Sequence, residues 1–360
     1  MIRVLLYCIP VFVLIGFANC GILGEEDKDK PITWAEESIN DYLVYSYSYG
    51  GDNLFIIDLE NGDYEQITEF ETIYSVTVNK DNTRLYLSSG KGQFYQNTGE
   101  VIEINLDNWS SRVIYDRPVE FLLSDRDDIF FITLAERIDQ TNFNPVRILG
   151  RIDKSDGGVE ELSQVNVSHA ENHDYKGVQV HPLKPIVYAL NNQYQLYRHS
   201  YLNGETEVLF DGLSFSNFPN TELSSGGDTL YFLGGPVFDL NEMREIGQLP
   251  VFKWGNPKAR RDNREVYNTD TGDQGMGLGS IRKVTVYDPN KNIITDSIDV
   301  GGGNDLIFLT EKERYAVINV GNRFISIIDL KEKAILKEIR FDQTETFVEA
   351  GRIFLAKKPN

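Results

Sequence analysis

One pattern recurs along the chain. A β-branched strand ends in Asp or Asn, turns through Asn, Asp or Gly, and returns as a second strand. It is clearest in Leu54–Thr68, Val101–Asp116, Val284–Asp299 and Ile325–Asp342, with weaker copies at Leu149–Ser163, Leu196–Asp211 and Val237–Pro250. Such alternation around turn residues makes β-hairpins. Hairpins repeated at roughly 40 residues make blades, because each unit leaves an apolar face that only the next unit covers. The predicted fold is all-β, a single β-propeller of seven four-stranded blades closed by the N- and C-terminal strands.

Pairing each repeated outer hairpin with the strands before it locates the blades. The first runs from Tyr42–Tyr47 to Tyr64–Thr68, the second from Ile73–Val78 to Asp116, and the third from Val119–Leu123 to about Ser163. The fourth is Val178–Val180, Ile186–Leu190 and Gln195–Asp211, and the fifth runs from Asn220–Leu223 to Arg244–Leu249. The sixth is assigned Val251–Trp254 as its inner strand, then Glu265–Tyr267, Ile281–Asp288 and Ile293–Asp299. The seventh runs from Leu306–Leu309 to Ala334–Arg340. The tail reads as two strands, Thr346–Ala350 and Arg352–Ala356, which leaves six or eight blades open as alternatives.

At 360 residues the length alone would allow two domains, but a closed repeat array holds it as one. Strand formers dominate, with 19 Tyr and 20 Phe. The net charge of −20 opposes nucleic acid and anionic membrane surfaces. A protein or glycan partner, and a monomeric domain, are expected.

Residues 1–19 read as an export signal. Arg3 supplies the positive charge, and Val4–Phe17 is almost wholly apolar yet short for a membrane span. Residues 20–33 form a tether, charged over Glu25–Lys30, and the propeller occupies 34–360. Cys8 lies inside the signal, so its removal leaves Cys20 as the one cysteine and no internal disulfide. It also removes one positive charge and no acid, leaving the remainder near −21. Two sequons, at Asn108 and Asn166, bear on function only in a eukaryotic secretory pathway.

Phe17-Ala18-Asn19-Cys20 resembles the lipobox of bacterial lipoproteins, although the usual pattern has Leu where Phe17 stands and a small residue where Asn19 stands. Lipoproteins of Bacteroidetes-type bacteria tolerate more variety there. The resemblance implies acylation at Cys20, membrane contact through the lipid alone, and a place in the bacterial periplasm or on the outer membrane surface. The alternative is plain secretion. Strand ends such as Ile56-Ile57-Asp58-Leu59 and Val286-Tyr287-Asp288-Pro289-Asn290, with the compact Tyr231–Pro250 unit, are similar to YVTN-type propellers and their lactonase relatives. Leu54–Thr68 also looks like repeats of periplasmic Tol-type propellers, which are binding scaffolds. These resemblances imply a fold far more than an activity.

Several groups offer chemistry. His169, His173 and His181, with Glu171 and Asp174 among them, suit zinc; a solvated loop is the expectation. Asp270 and Asp273, in the Gly-rich stretch Thr269–Ser280 with Gly275 and Gly277, suit calcium but miss the EF-hand spacing. Lys253, Lys258, Arg260, Arg261 and Arg264 form a basic knot before that stretch, and the two together would suit a carboxylate or phosphate on one face. The excursion Glu136–Pro145 would be a further rim loop if it met a partner; a solvated insertion is the expectation. No Gly-x-Ser-x-Gly elbow or usable Cys nucleophile is present. A channel metal would need converging acids and amides, for which Glu120, Glu222, Asn304, Asp305 and Glu349 are placed. No cofactor is expected; calcium or zinc would be the ion if one binds. The first reading is a non-enzymatic binding or scaffolding protein of the cell envelope. The second is a metal-dependent lactonase or hydrolase with a site in the central channel, and the third an extracellular adhesion or sensor module.

Overall fold

The computed structural model describes residues 31–47, 51–67, 70–79, 81–90, 98–119, 121–125, 128–134, 147–153, 158–165, 178–190, 195–212, 221–232, 235–249, 257–270, 283–300, 307–320, 324–340 and 352–358. Met1–Thr33 and Trp34–Asn360 are separate units, and the second contains every strand.

Among the described residues, twenty-eight strands form seven four-stranded antiparallel sheets. Blade one takes β1 (Tyr42–Tyr47), β2 (Leu54–Asp58) and β3 (Tyr64–Ile67). Blade two is β4 (Ile73–Val78), β5 (Arg84–Gly90), β6 (Gly99–Asn105) and β7 (Ser111–Tyr115). Blade three is β8 (Phe121–Asp125), β9 (Asp128–Leu134), β10 (Arg147–Asp153) and β11 (Val159–Val165). Blade four is β12 (Val178–Val180), β13 (Ile186–Leu190), β14 (Leu196–Ser200) and β15 (Thr206–Phe210). Blade five is β16 (Thr221–Leu223), β17 (Thr229–Phe232), β18 (Pro236–Asp239) and β19 (Arg244–Gln248). Blade six is β20 (Pro257–Ala259), β21 (Val266–Asp270), β22 (Lys283–Asp288) and β23 (Ile293–Asp299). Blade seven is β24 (Ile307–Leu309), β25 (Tyr315–Val320), β26 (Phe324–Asp329) and β27 (Ala334–Arg340). The last strand, β28 (Arg352–Lys357), returns to blade one and pairs with β1 from Tyr42↔Lys357 to Tyr47↔Arg352. The protein is a seven-bladed β-propeller, closed by three N-terminal strands and one C-terminal strand in a shared blade.

Burial explains the composition of the strands. Each blade packs both faces on its neighbours, so a strand can be buried without alternation; β4 is buried at every position, Ser75 and Thr77 included. Seven apolar clusters lie between successive blades. One joins Val317, Ile325 and Ile327 of blade seven to Val44, Phe55 and Ile57 of blade one; another joins Tyr231 and Val237 of blade five to Val266 and Tyr287 of blade six. Each large side chain so covered contributes ~1.5–3 kcal/mol. The outermost strands face water on one side and carry the charge, as in the exposed start of β7.

The repeated Asp or Asn at strand ends has a mechanical cause. In the outer hairpins the Oδ1 of Asp58, Asn105, Asp239 and Asp288 accepts the backbone N–H two residues on. Four residues after the capping position the chain turns left-handed, at Gly62, Trp109, Gly204, Met243, Asn292 and Lys333, with φ from 51° to 83°. Six of the seven outer hairpins also carry a register shift between their two strands. Such a bulge twists the outer edge away from pairing with another chain.

The sixth blade corrects the expected boundaries. Its inner strand is Pro257–Ala259, set by the register Pro257↔Asn268 to Ala259↔Val266, and not Val251–Trp254, which lies outside the described residues. The apolar run from Val251 has the better strand propensity. Pro257 is tolerated because it opens an edge strand, where the missing N–H has no ladder partner to lose. Of the two tail strands expected, Arg352–Lys357 is found and Thr346–Ala350 lies outside the described residues.

The left-handed turn position separates strain from packing. A Cβ on Gly204 meets nothing within 4 Å, so Gly204→Ala tests the backbone alone and should destabilise the fold by about 1–2 kcal/mol. Met243→Gly, at the same turn position of the next blade, should cost nothing or gain up to about 1 kcal/mol in urea unfolding.

Candidate functional site

In blades two, four, five, six and seven the first and second strands are joined by a tight turn, and these turns share one hydrogen-bond plan. The first turn residue donates its N–H across to the start of the second strand: Asn79 to Arg84, His181 to Ile186, Ser224 to Thr229, Arg260 to Glu265 and Thr310 to Tyr315, at 2.8–3.0 Å. Its side chain then caps the turn. Asn79 Oδ1 accepts from the N–H groups of Thr83 and Arg84, and Ser224 Oγ from those of Asp228 and Thr229.

His181 fills this capping role in blade four. Its Nδ1 accepts from the N–H of Leu183 at 3.0 Å and of Lys184 at 3.1 Å, which puts the ring proton on Nε2. The ring is 2% exposed and packs against Gly227 of blade five, where an added Cβ would lie 2.4 Å from Cε1. His181 is therefore a buried turn cap wedged between two blades. His169, His173, Glu171 and Asp174 lie between β11 and β12, outside the described residues.

Blade six begins its turn with Arg260, which has no acceptor to offer, and acids from elsewhere do the capping. Asp262 Oδ1 accepts from Arg264 N at 3.1 Å, and Glu313 of the blade-seven turn accepts from Arg261 N at 2.8 Å. Arg260 is 4% exposed, pairs with Asp262 at 3.2 Å, and lies 4.4 Å under the Trp34 ring. Burial raises the Glu313 carboxyl above the ordinary range against the opposing pull of Arg261 N–H and the two arginines. Of the basic knot, Lys258 belongs to β20 and pairs with Glu222 at 2.7 Å, Arg264 lies 3.9 Å from Asp262, and Arg261 has the most exposed side chain. Lys253 lies outside the described residues.

The turn Arg260–Glu265 and the stretch after residue 270 leave opposite ends of β21. Asp270 is the last residue of that strand, while Asp273, Gly275 and Gly277 lie outside the described residues. Asp270 thus lies a strand's length away from the turn residues Arg260, Arg261 and Arg264.

Around the inner edge of the ring, Gln179, Glu222, Lys258 and Phe308 are the central residues of the three-residue strands β12, β16, β20 and β24. Gln179 Nε2 donates to Thr221 O at 2.8 Å, and the Glu222–Lys258 pair ties blade five to blade six. Phe308 meets Phe354 of β28, with ring centroids 5.9 Å apart. Of the acids and amides placed for a channel metal, Glu222 is held by Lys258; Glu120, Asn304, Asp305 and Glu349 lie outside the described residues, as does the excursion Glu136–Pro145. No group of three His, Cys, Asp or Glu side chains suited to a metal occurs among the described residues.

Sequence reasoning missed the N-terminal strap. Residues Trp34 to Ser38 cross the turn side of blades six and seven before a single 3-10 turn, Ile39–Asp41, leads into β1. Glu36, Glu37, Ser38, Asp41, Tyr42, Lys312 and Lys357 line a cleft of about 370 Å³ beside it. The one available signal was Trp34, among three tryptophans in the chain, standing just after the charged tether.

No protein-family model matches the chain, and no curated protein matches it by sequence. Solved structures do match. A protein of unknown function from Desulfotomaculum acetoxidans is 12% identical, with a TM-score of 0.60 over 88% of this chain and 99% of its own. A Bacteroides uniformis protein described as a candidate 6-phosphogluconolactonase is 11% identical, with a TM-score of 0.60 over 88% of this chain and all of its own. An oligogalacturonate lyase determined with manganese is 12% identical, with a TM-score of 0.56 over 78% of this chain and 83% of its own. At such identities the likeness is one of fold.

Two measurements probe the histidines. His181→Ala should destabilise the fold by about 1–3 kcal/mol by stranding two turn N–H groups, while His181→Asn, the residue that blade two uses, should recover part of that loss. His199, buried in β14 with Nδ1 2.8 Å from Thr206 Oγ1, has its imidazole pKa lowered from the ordinary 6.5, chiefly by burial. The unfolded chain therefore takes up this proton first. The contribution is full above about pH 6.5 and is lost as pH falls through the folded value. Chemical unfolding of His199→Gln between about pH 7.5 and 5.5 should show a flatter pH dependence than the parent chain.

Proposed function

We propose that this chain is an exported β-propeller that acts as a binding or scaffolding protein in a bacterial cell envelope, held there by acylation of Cys20. The observation that favours binding over channel catalysis is the Glu222–Lys258 pair. It places an ammonium against an acid on the inner strands, where a metal-dependent lactonase would gather carboxylates around an ion. The charge supports a partner other than nucleic acid, either a protein or a glycan. The signal-like residues 1–19 and the lipobox-like Phe17–Cys20 support export and anchoring.

A second reading, a lactonase or hydrolase of the YVTN-like kind, draws on the fold shared with the Bacteroides uniformis protein and with the manganese-bound lyase. In that reading Glu120, Glu222, Asn304, Asp305 and Glu349 would supply the ligands of calcium or zinc, with Glu222 released from Lys258.

Radiolabelled palmitate and membrane fractionation test the anchor. The parent chain should take up label and sediment with membranes, and Cys20→Ala should do neither; an unlabelled, soluble parent would refute the anchor. Elemental analysis of the mature chain, with melting before and after chelation, tests the activity class. The binding reading expects no melting shift. A stoichiometric metal whose removal lowers Tm would transfer support to the enzyme.

A further inference from the structure

Where the chain ends meet, blade one depends on β28, which is paired on one side only, to β1. We propose that residues Trp34 to Asp41 are a clasp that holds the ring shut across this junction. The Glu37 carboxylate is its centre. It accepts from Tyr42 OH of blade one and from Thr310 Oγ1, Lys312 N and Arg314 N of the blade-seven turn. One half-buried charge thereby satisfies donors from both sides of the closure, with hydrogen bonds of the strong, charge-assisted kind. The strap backbone adds two more contacts with blade seven: Lys312 Nζ donates to Glu36 O, and Tyr315 OH to Glu37 O.

The other end of the clasp is apolar. Trp34 packs on the core between blades six and seven and covers the Arg260 guanidinium. The clasp therefore spans blades six, seven and one by two unlike interactions.

The end of β28 is tied into the same assembly. Lys358 N donates to Asp41 O at 2.7 Å, Lys357 Nζ pairs with Glu311 at 3.1 Å, and Lys358 Nζ pairs with Asp58 and Glu60. The link also runs on through the turns. Glu313 of blade seven caps Arg261 N of blade six, and Ser225 Oγ of blade five donates to Arg261 O. On the other side Tyr45 OH of blade one donates to Asn82 Oδ1 of blade two. Opening the clasp and releasing β28 should then be a single event, separate from fraying of the outer strands.

Hydrogen exchange on the full mature chain tests this. Glu37→Ala should speed exchange of the β28 amides by about tenfold or more, the change that loss of one charge-assisted hydrogen bond produces. Blade-four amides and the neighbouring-residue control Glu36→Ala should match the parent. If exchange rises only around Thr310–Tyr315 and β28 stays protected, Glu37 is a local turn cap and the clasp is refuted. Should Glu37→Ala fail to fold, Tyr42→Phe removes only the blade-one leg and should speed the same β28 amides by a smaller factor. Unchanged β28 exchange in Tyr42→Phe would then refute the clasp.

Discussion

The pairing of β28 with β1 is the constraint on which the other contacts depend. Seven sheets packed face to face bury both faces of every blade only if the ring is complete; an open ring would expose two apolar sheet faces at once. The cores on either side of blade one show what is at stake. Val44, Phe55 and Ile57 face blade seven, while Tyr45, Tyr47 and Leu54 face blade two. Six register pairs hold β28 in place, and the strand lies far from β1 in the chain, so its closure entropy must be met by contacts made together.

The turn side of the ring spreads that closure over several blades. In blades two, four, five and seven a capping side chain at the head of the tight turn satisfies backbone donors that burial would otherwise strand. Where the local residue cannot accept, as at Arg260, a carboxylate arrives from the neighbouring blade. The outcome is a set of turns that support one another through Glu37, Glu313 and Ser225. Residues of catalytic type are here at work in architecture. His181 caps a turn, Arg260 lies under an indole, and Lys258 balances Glu222.

Much of the fold was legible because its cues are local. Tyr42–Tyr47, Ile73–Val78, Ile186–Leu190 and Ala334–Arg340 were read to the residue, since each begins and ends at turn chemistry. The boundary that failed, Val251–Trp254 against Pro257–Ala259, failed because the inner strand is set by pairing to β21 and not by its own propensity. Candidate sites were harder to read. His181 was grouped with His169 and His173 as a zinc candidate in an expected solvated loop, and its capping of a buried turn went unread because residue type does not reveal which donors surround a ring. Arg260–Arg264 and Asp270 are close in sequence, yet they stand at opposite ends of β21. Glu37 had no signal at all, as its partners at Thr310, Lys312 and Arg314 are more than 270 residues away.

The sequence by itself determined the hairpin unit, its repetition, the all-β class and the charge, because strand alternation, Asx caps and left-handed turn positions act within a few residues of one another. Only the tertiary structure decided the blade count, the inner strand of blade six, the pairing of Glu222 with Lys258 and the clasp at Glu37. Each of those depends on which distant segments share a sheet or a turn, and that is settled by the joint burial of the blades, to which no single segment holds the key.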